Sequence, residues 1–162
     1  MTEQPFTHLD AAGQARMVDV TAKPVTARSA TATGFVHCPA PVVAALRDGT
    51  VPKGDVLAVA RVAGIAAAKR VPDLLPLAHV IGIHAVTVDA EITDAGVQLT
   101  ATVRTMDRTG VEMEALTSVS VAALAVIDMV KGLDKHVSIG EVRLLAKDGG
   151  RSGTWTYSPD QP

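Results

Sequence analysis

The chain has 162 residues and a mass of 16.7 kDa, the size of one compact domain. Fifteen basic residues against seventeen acidic ones leave a formal charge of −2, which excludes a protein that holds nucleic acid by broad electrostatic attraction. The lone Cys38 excludes an internal disulfide framework, the first ten residues carry neither the basic nor the apolar part of a secretory signal, and the longest uncharged run, Ala115 to Ile127, is too short to span a bilayer. A cytoplasmic protein without nucleic-acid or membrane partners is expected.

The apolar fraction rests on 26 Ala and 23 Val, with four aromatics, Phe6, Phe35, Trp155 and Tyr157. Small side chains bury little area each, whereas a single aromatic can bury ~150–250 Å². A domain with so lean a core gains stability by covering a face with copies of itself, so a homo-oligomer is expected.

In chain order, residues 1–16 read as a polar N-terminal arm, 17–155 as a single α+β domain and 156–162 as a tail. Met17 to Val36 is rich in Val, Thr and Ala and reads as extended, interrupted at Lys23-Pro24. Pro39 and Pro41 open a short helix, Val42 to Arg47, closed by Gly49. Asp55 caps a second helix running to about Lys69, and Pro72 stops it. Leu74 to Ile83 reads as a loop. His84 to Ile92 and Val97 to Arg104 alternate on either side of a turn at Thr93–Gly96, the clearest hairpin in the chain. Thr109 and Glu112 spell a capping box for a long helix to about Gly132, uncharged from Ala115 to Ile127 and therefore expected to be buried nearly all round. Val137 to Leu145 is the last strand. This order gives an α+β fold, a mostly antiparallel sheet covered by helices.

Four constellations carry chemistry. Asp128 and Lys131, three apart on one helix, read either as a helix-end ion pair or as a carboxylate and ammonium held in low dielectric for acid–base work. Lys53 precedes a helix N-terminus, where an anion would meet both the ammonium and free amides; a solvated loop lysine is the plainer alternative. Arg61, mid-helix among small apolar residues, either snorkels to water or reaches a partner subunit. Glu112 has a capping role, while Glu114 points about 160° away from it. Glu114 and Asp128 lie roughly 21 Å apart along the helix, so a ligand touching both is long or the site is shared between subunits. His79 stands alone among apolar neighbours, and the five histidines form no metal motif. The Gly149–Gly153 run lacks the order of a phosphate-binding loop and reads as a flexible surface loop. Spacing by itself stops at an oligomeric α+β domain with a candidate anion site.

The motifs Ala15–Val20, Lys53-Gly54-Asp55-Val56, Ala60–Ile65, Asp73–Leu77, Arg108–Thr117, Ser120–Leu124, Asp128-Met129 with Lys131, and Ser152-Gly153 after Gly149-Gly150 occur in an order that resembles the cyclic pyranopterin monophosphate synthase family of molybdenum cofactor biosynthesis. The likeness covers about residues 7–155. It implies a lyase that converts 3′,8-cyclo-7,8-dihydroguanosine 5′-triphosphate to cyclic pyranopterin monophosphate and releases pyrophosphate. It also implies a ferredoxin-like fold and a homohexamer, a trimer of dimers with active sites at dimer interfaces. Position by position, it makes Asp128, Lys131 and Lys53 catalytic. It assigns Leu77, Ala78, His79, Met113, Glu114 and Glu112 to substrate contacts, with Asp19 and Arg28 beside them. The sequence shows no metal ligands and no required cofactor, and a triphosphate is compatible with magnesium, which often bridges phosphates. The sequence departs from the family at Ala78 and Val80, where Cys and Pro are usual on either side of His79, and at Ile127 and Val130. The changes beside His79 motivate the alternative of a pterin- or purine-nucleotide-binding homologue without catalysis.

Overall fold

Side-chain alternation builds the sheet. In a computed structural model describing residues 8–10 and 12–160, strand β1 (Thr26–His37) turns Ala30, Ala32, Gly34 and Val36 to a buried face and Ser29, Thr31, Thr33 and Phe35 to the other. Strand β3 (Gly96–Asp107) repeats the pattern with Val97, Leu99, Ala101, Val103 and Thr105 buried. The two run antiparallel, Ala32 opposite Ala101. With β2 (Ile83–Ile92), β4 (Ser138–Asp148) and the two-residue β5 (Trp155–Thr156) they form one sheet in the order β2-β3-β1-β4-β5, every ladder antiparallel. Between the strands lie α1 (Ala40–Asp48), α2 (Val56–Ala68), the single turn α3 (Val71–Leu74) and α4 (Glu112–Val130). The β-α-β-β-α-β succession of β1, α2, β2, β3, α4 and β4 is the ferredoxin-like order.

Helix α2 starts where Asp55 accepts the Ala58 amide at 2.9 Å, and α1 ends on Gly49 in the left-handed conformation, both as the sequence implies. Helix α4 packs on β1, β3 and β4 and beside α2. Its buried side, Ala115, Ser118, Val119, Ala122, Ala123 and Val126, is made of small residues that let the helix sit close to the sheet. At Gly64 of α2 a Cβ would stand 2.9 Å from the Ser118 carbonyl oxygen, so that glycine permits the α2–α4 contact, and Ser118 Oγ donates back to the Gly64 carbonyl at 3.0 Å. The core is as lean as expected: its largest fully buried side chain is Leu99 and most of the rest are Val and Ala.

Several expectations need correction. The ladder of β1 begins at Thr26, not near Met17; the chain before it turns at residues 21–23. Pro72 does not simply stop α2; it sits in the first turn of α3, where its missing N–H costs nothing. The capping box is not made. The helix begins at Glu112, which therefore stands at its first position rather than its third; Val111 is the N-cap of α4 and no side chain caps it. Helix α4 is not buried all round: Met113 and Leu124 are exposed, with Thr117 and Ser120 half-buried along the same stripe. At 19 residues with mean hydropathy 1.7 it has the length and composition to cross a membrane, contrary to the shorter reading of its uncharged run. Its packing under the sheet makes it the domain's central helix. Of the arm 1–16, residues 1–7 and 11 lie outside the described residues; the rest folds back through a Leu9–Ala15 bridge. Of the tail, 161 and 162 lie outside the described residues, and Thr156 belongs to β5.

Candidate active site

The two ends of α4 carry the two groups of predicted residues. At its C-terminal end Lys53 Nζ, from the loop before α2, donates to the Asp128 carbonyl at 2.6 Å and lies 3.2 Å from Asp128 Oδ2. Lys131 Nζ lies 2.7 Å from Asp128 Oδ1. One carboxylate thus aligns two ammonium groups, and bonds from Lys131 first and Lys53 second hold its carboxyl below the usual carboxylate range. Of the two readings, the protomer shows the helix-end ion pair; a low-dielectric setting is absent within it, since the Asp128 side chain is 59% exposed. A charge cluster left this open to water gains little stability from its ion pairs and remains free to engage a polyanion.

At the N-terminal end, a cleft of about 540 Å³ opens over the first turn of α4. It is lined by Leu77, Ala78 and His79 from the loop after α3 and by Glu112, Met113 and Glu114. His79 Nε2 lies 2.7 Å from the Val18 carbonyl. A carbonyl only accepts, so Nε2 carries the hydrogen and Nδ1 of the neutral ring is left as acceptor. The ring is therefore aimed by the Val18 carbonyl without the usual proline after it; Val80 is 88% exposed. Glu112 and Glu114 both face this cleft rather than opposite sides. Glu112 starts the helix and its carboxylate folds over Gly110, where a Cβ would collide with it. Glu114 is 3% exposed, and burial, partly offset by a bond from its own amide and aided by the Glu112 charge, pushes its carboxyl up to about 7.

Other predicted residues fall elsewhere. Asp19 is exposed and accepts from the Thr21 amide at 2.9 Å and hydroxyl at 2.7 Å, bonds that lower its carboxyl; its neighbours Val18 and Val20 line the cleft in its place. Arg28 lines an adjoining cleft with Lys23 and Arg151. Arg61 is exposed and donates through Nε to the Val88 carbonyl at 3.2 Å, a contact within the chain that neither of its two readings named. Sequence reasoning missed Lys23 and Arg151, which line both clefts; their signal was a lysine before a proline and an arginine inside a glycine run.

Residues 17–150 match the model of the MoaC family. The chain belongs to that family. Among curated relatives, a cyclic pyranopterin monophosphate synthase of Streptomyces coelicolor is 59% identical over 153 residues, covering 94% of this chain and 90% of the relative. A protein of the same name from Pelobacter propionicus is 52% identical over 159 residues, covering 96% and 99%. Cyclic pyranopterin monophosphate synthase 2 of Mycobacterium tuberculosis is 53% identical over 151 residues, covering 93% and 90%. The likeness spans both ends of α4 and every strand but β5.

Proposed function

We propose that this chain is a cyclic pyranopterin monophosphate synthase, a lyase that rearranges 3′,8-cyclo-7,8-dihydroguanosine 5′-triphosphate to cyclic pyranopterin monophosphate with release of pyrophosphate, in molybdenum cofactor biosynthesis. The observation that carries this is the convergence of Lys53, Asp128 and Lys131, brought together across 75 residues of chain, in a member of the MoaC family.

Opening one ring, closing another and expelling pyrophosphate requires protons to move in sequence. Lys53 and Lys131 carry them at Nζ, and Asp128 sets both ammonium groups at fixed spacing. The cleft of His79, Glu112 and Glu114 receives the base-derived end of the substrate. There the carboxyls and the His79 Nδ1 meet ring N–H groups, and Leu77, Ala78 and Met113 cover its faces. Magnesium enters, where present, as part of the triphosphate substrate.

One protomer holds only the two halves. Glu114 and Asp128 are about 21 Å apart along α4 at about 1.5 Å per residue. An isologous contact that sets two α4 helices antiparallel lays the Lys53–Asp128–Lys131 end of one copy over the His79–Glu114 cleft of the other. Support comes from the exposed apolar residues Met113 and Leu124 on α4 and Val59 and Val62 on the neighbouring α2. We read the assembly as a homohexamer of three such pairs, as the family resemblance implies. Incubating pure protein with the cyclised nucleotide and following pyrophosphate tests the activity. Turnover is expected; none from well-folded protein would sink it.

A further inference from the structure

Shortly after His79 the chain enters β2, and the end of β3 grips it there. Thr105 and Asp107 alternate with Met106 and so face the same side of the sheet. Thr105 Oγ1 donates to the Gly82 carbonyl at 2.6 Å, and Asp107 Oδ2 accepts the Gly82 amide at 3.4 Å. Both backbone groups of one residue are thus held by side chains. The other carboxylate oxygen accepts the Arg108 amide at 2.7 Å, which fixes the Asp107 rotamer. From the strand between them, the Met106 amide donates to His84 Nδ1 at 3.3 Å. Backbone pairing of β2 with β3 ends at Ile83 opposite Thr105, so Gly82 is held by side chains rather than by the ladder. Thr105 is 3% exposed, although Gly82 itself is exposed. Ahead of His79, the Ala78 amide donates to the Leu75 carbonyl at 3.0 Å. The stretch 77–81, which gives Leu77, Ala78, His79 and Ile81 to the cleft wall, is therefore a short span anchored at each end.

We infer that Thr105 and Asp107 are positioning residues for His79: by holding Gly82 they fix the backbone that follows the ring, as a proline at position 80 would. A proline sets its own φ near about −65° and restricts the residue before it, whereas Val80 leaves both free. Among the described residues the Val80 amide makes no hydrogen bond, so nothing at that position restrains the chain. The clamp restrains it further on, by closing the span between Leu75 and Gly82 so that few backbone paths remain. The Val18 carbonyl then sets the rotation of the ring, and the clamp sets where its Cα stands. This rests on the proposed synthase activity, and it adds to the site two residues that act through His79.

The test combines hydrogen–deuterium exchange of the peptide 77–83 with steady-state kinetics on the cyclised nucleotide, both on the intact assembly well below its thermal midpoint. Thr105→Val keeps the shape and removes the hydroxyl. It should speed exchange in that peptide and raise KM about fivefold or more, with kcat within a few-fold, because His79 contributes binding rather than a proton. Thr105→Ser retains the hydroxyl and should stay near the wild type. Val80→Pro alone should change KM by less than about twofold; added to Thr105→Val, it should slow exchange of the remaining amides and recover most of KM. Asp107→Ala, at a half-buried side chain, carries the same comparison should Thr105→Val fail to fold. Unchanged KM and exchange in these variants, or losses that Val80→Pro leaves unrepaired, would overturn the inference while leaving an active synthase standing. Exchange that follows the clamp in a protein without turnover would sink the activity and keep the clamp.

Discussion

Replacing Glu114 by Gln removes one buried ionisable group at almost constant shape, and the structure fixes the sign of its effect. The folded carboxyl holds its proton up to about 7, while its ordinary value is 4.5. Between those values the folded wild type must either stay protonated when the unfolded chain would not, or bury a charge. Wild-type stability tied to this group is therefore complete below pH 4.5 and declines as pH rises through 7. At about 1.4 kcal/mol per tenfold, the full effect is about 3 kcal/mol. Gln cannot ionise and escapes the loss. Chemical unfolding at fixed protomer concentration, repeated from pH 4 to pH 8.5, should show the Gln variant gaining on the wild type by up to about 3 kcal/mol at the alkaline end, with little pH-dependent difference at the acid end. A difference that stays flat across that range, or a variant that falls behind as pH rises, would refute the reasoning.

Three further outcomes are expected. Lys131→Ala should lower turnover by at least about a hundredfold, the usual scale for a lost proton carrier, with oligomer size by light scattering unchanged. Gly149→Ala should destabilise the protein by about 1–3 kcal/mol, measured by denaturant midpoint, because the site has φ 92° and a Cβ there would collide with the Ala27 carbonyl oxygen of β1. The double change Ala78→Cys with Val80→Pro should leave kcat within a few-fold, since Val 80 is exposed and the Val18 carbonyl already aims His79; a rise from near zero would mark the parent as a binding protein only.

Local signals made much of the fold legible and long-range ones hid much of the site. Asp55 and Gly49 act on their own helix ends, so their roles were readable from neighbours in sequence. The β2–β3 hairpin was equally plain, its strands alternating about a turn that ends at Gly96, with φ 146°. The capping box failed because the helix starts at Glu112, three residues later than the motif places its cap, and the Glu112 carboxylate lies over Gly110 instead. The exposed stripe on α4 was hidden because Leu124 and Val119 look alike in a sequence without charges to mark a face. Asp128 and Lys131 could be paired from their spacing, whereas Lys53 joins them only through tertiary contact. Lys23 and Arg151 meet in the same way, from opposite ends of the chain.

Subunit complementation tests the shared site most directly. His79→Ala and Lys131→Ala protomers, each expected to be inactive alone, are co-assembled in equal amounts and assayed for pyrophosphate release. If each site draws His79 from one copy and Lys131 from another, random pairing should restore about a quarter of wild-type activity, because half the pairs are mixed and each of those holds one intact site. Verified mixed assemblies that release no pyrophosphate would place both residues in one protomer's own site and contradict the account.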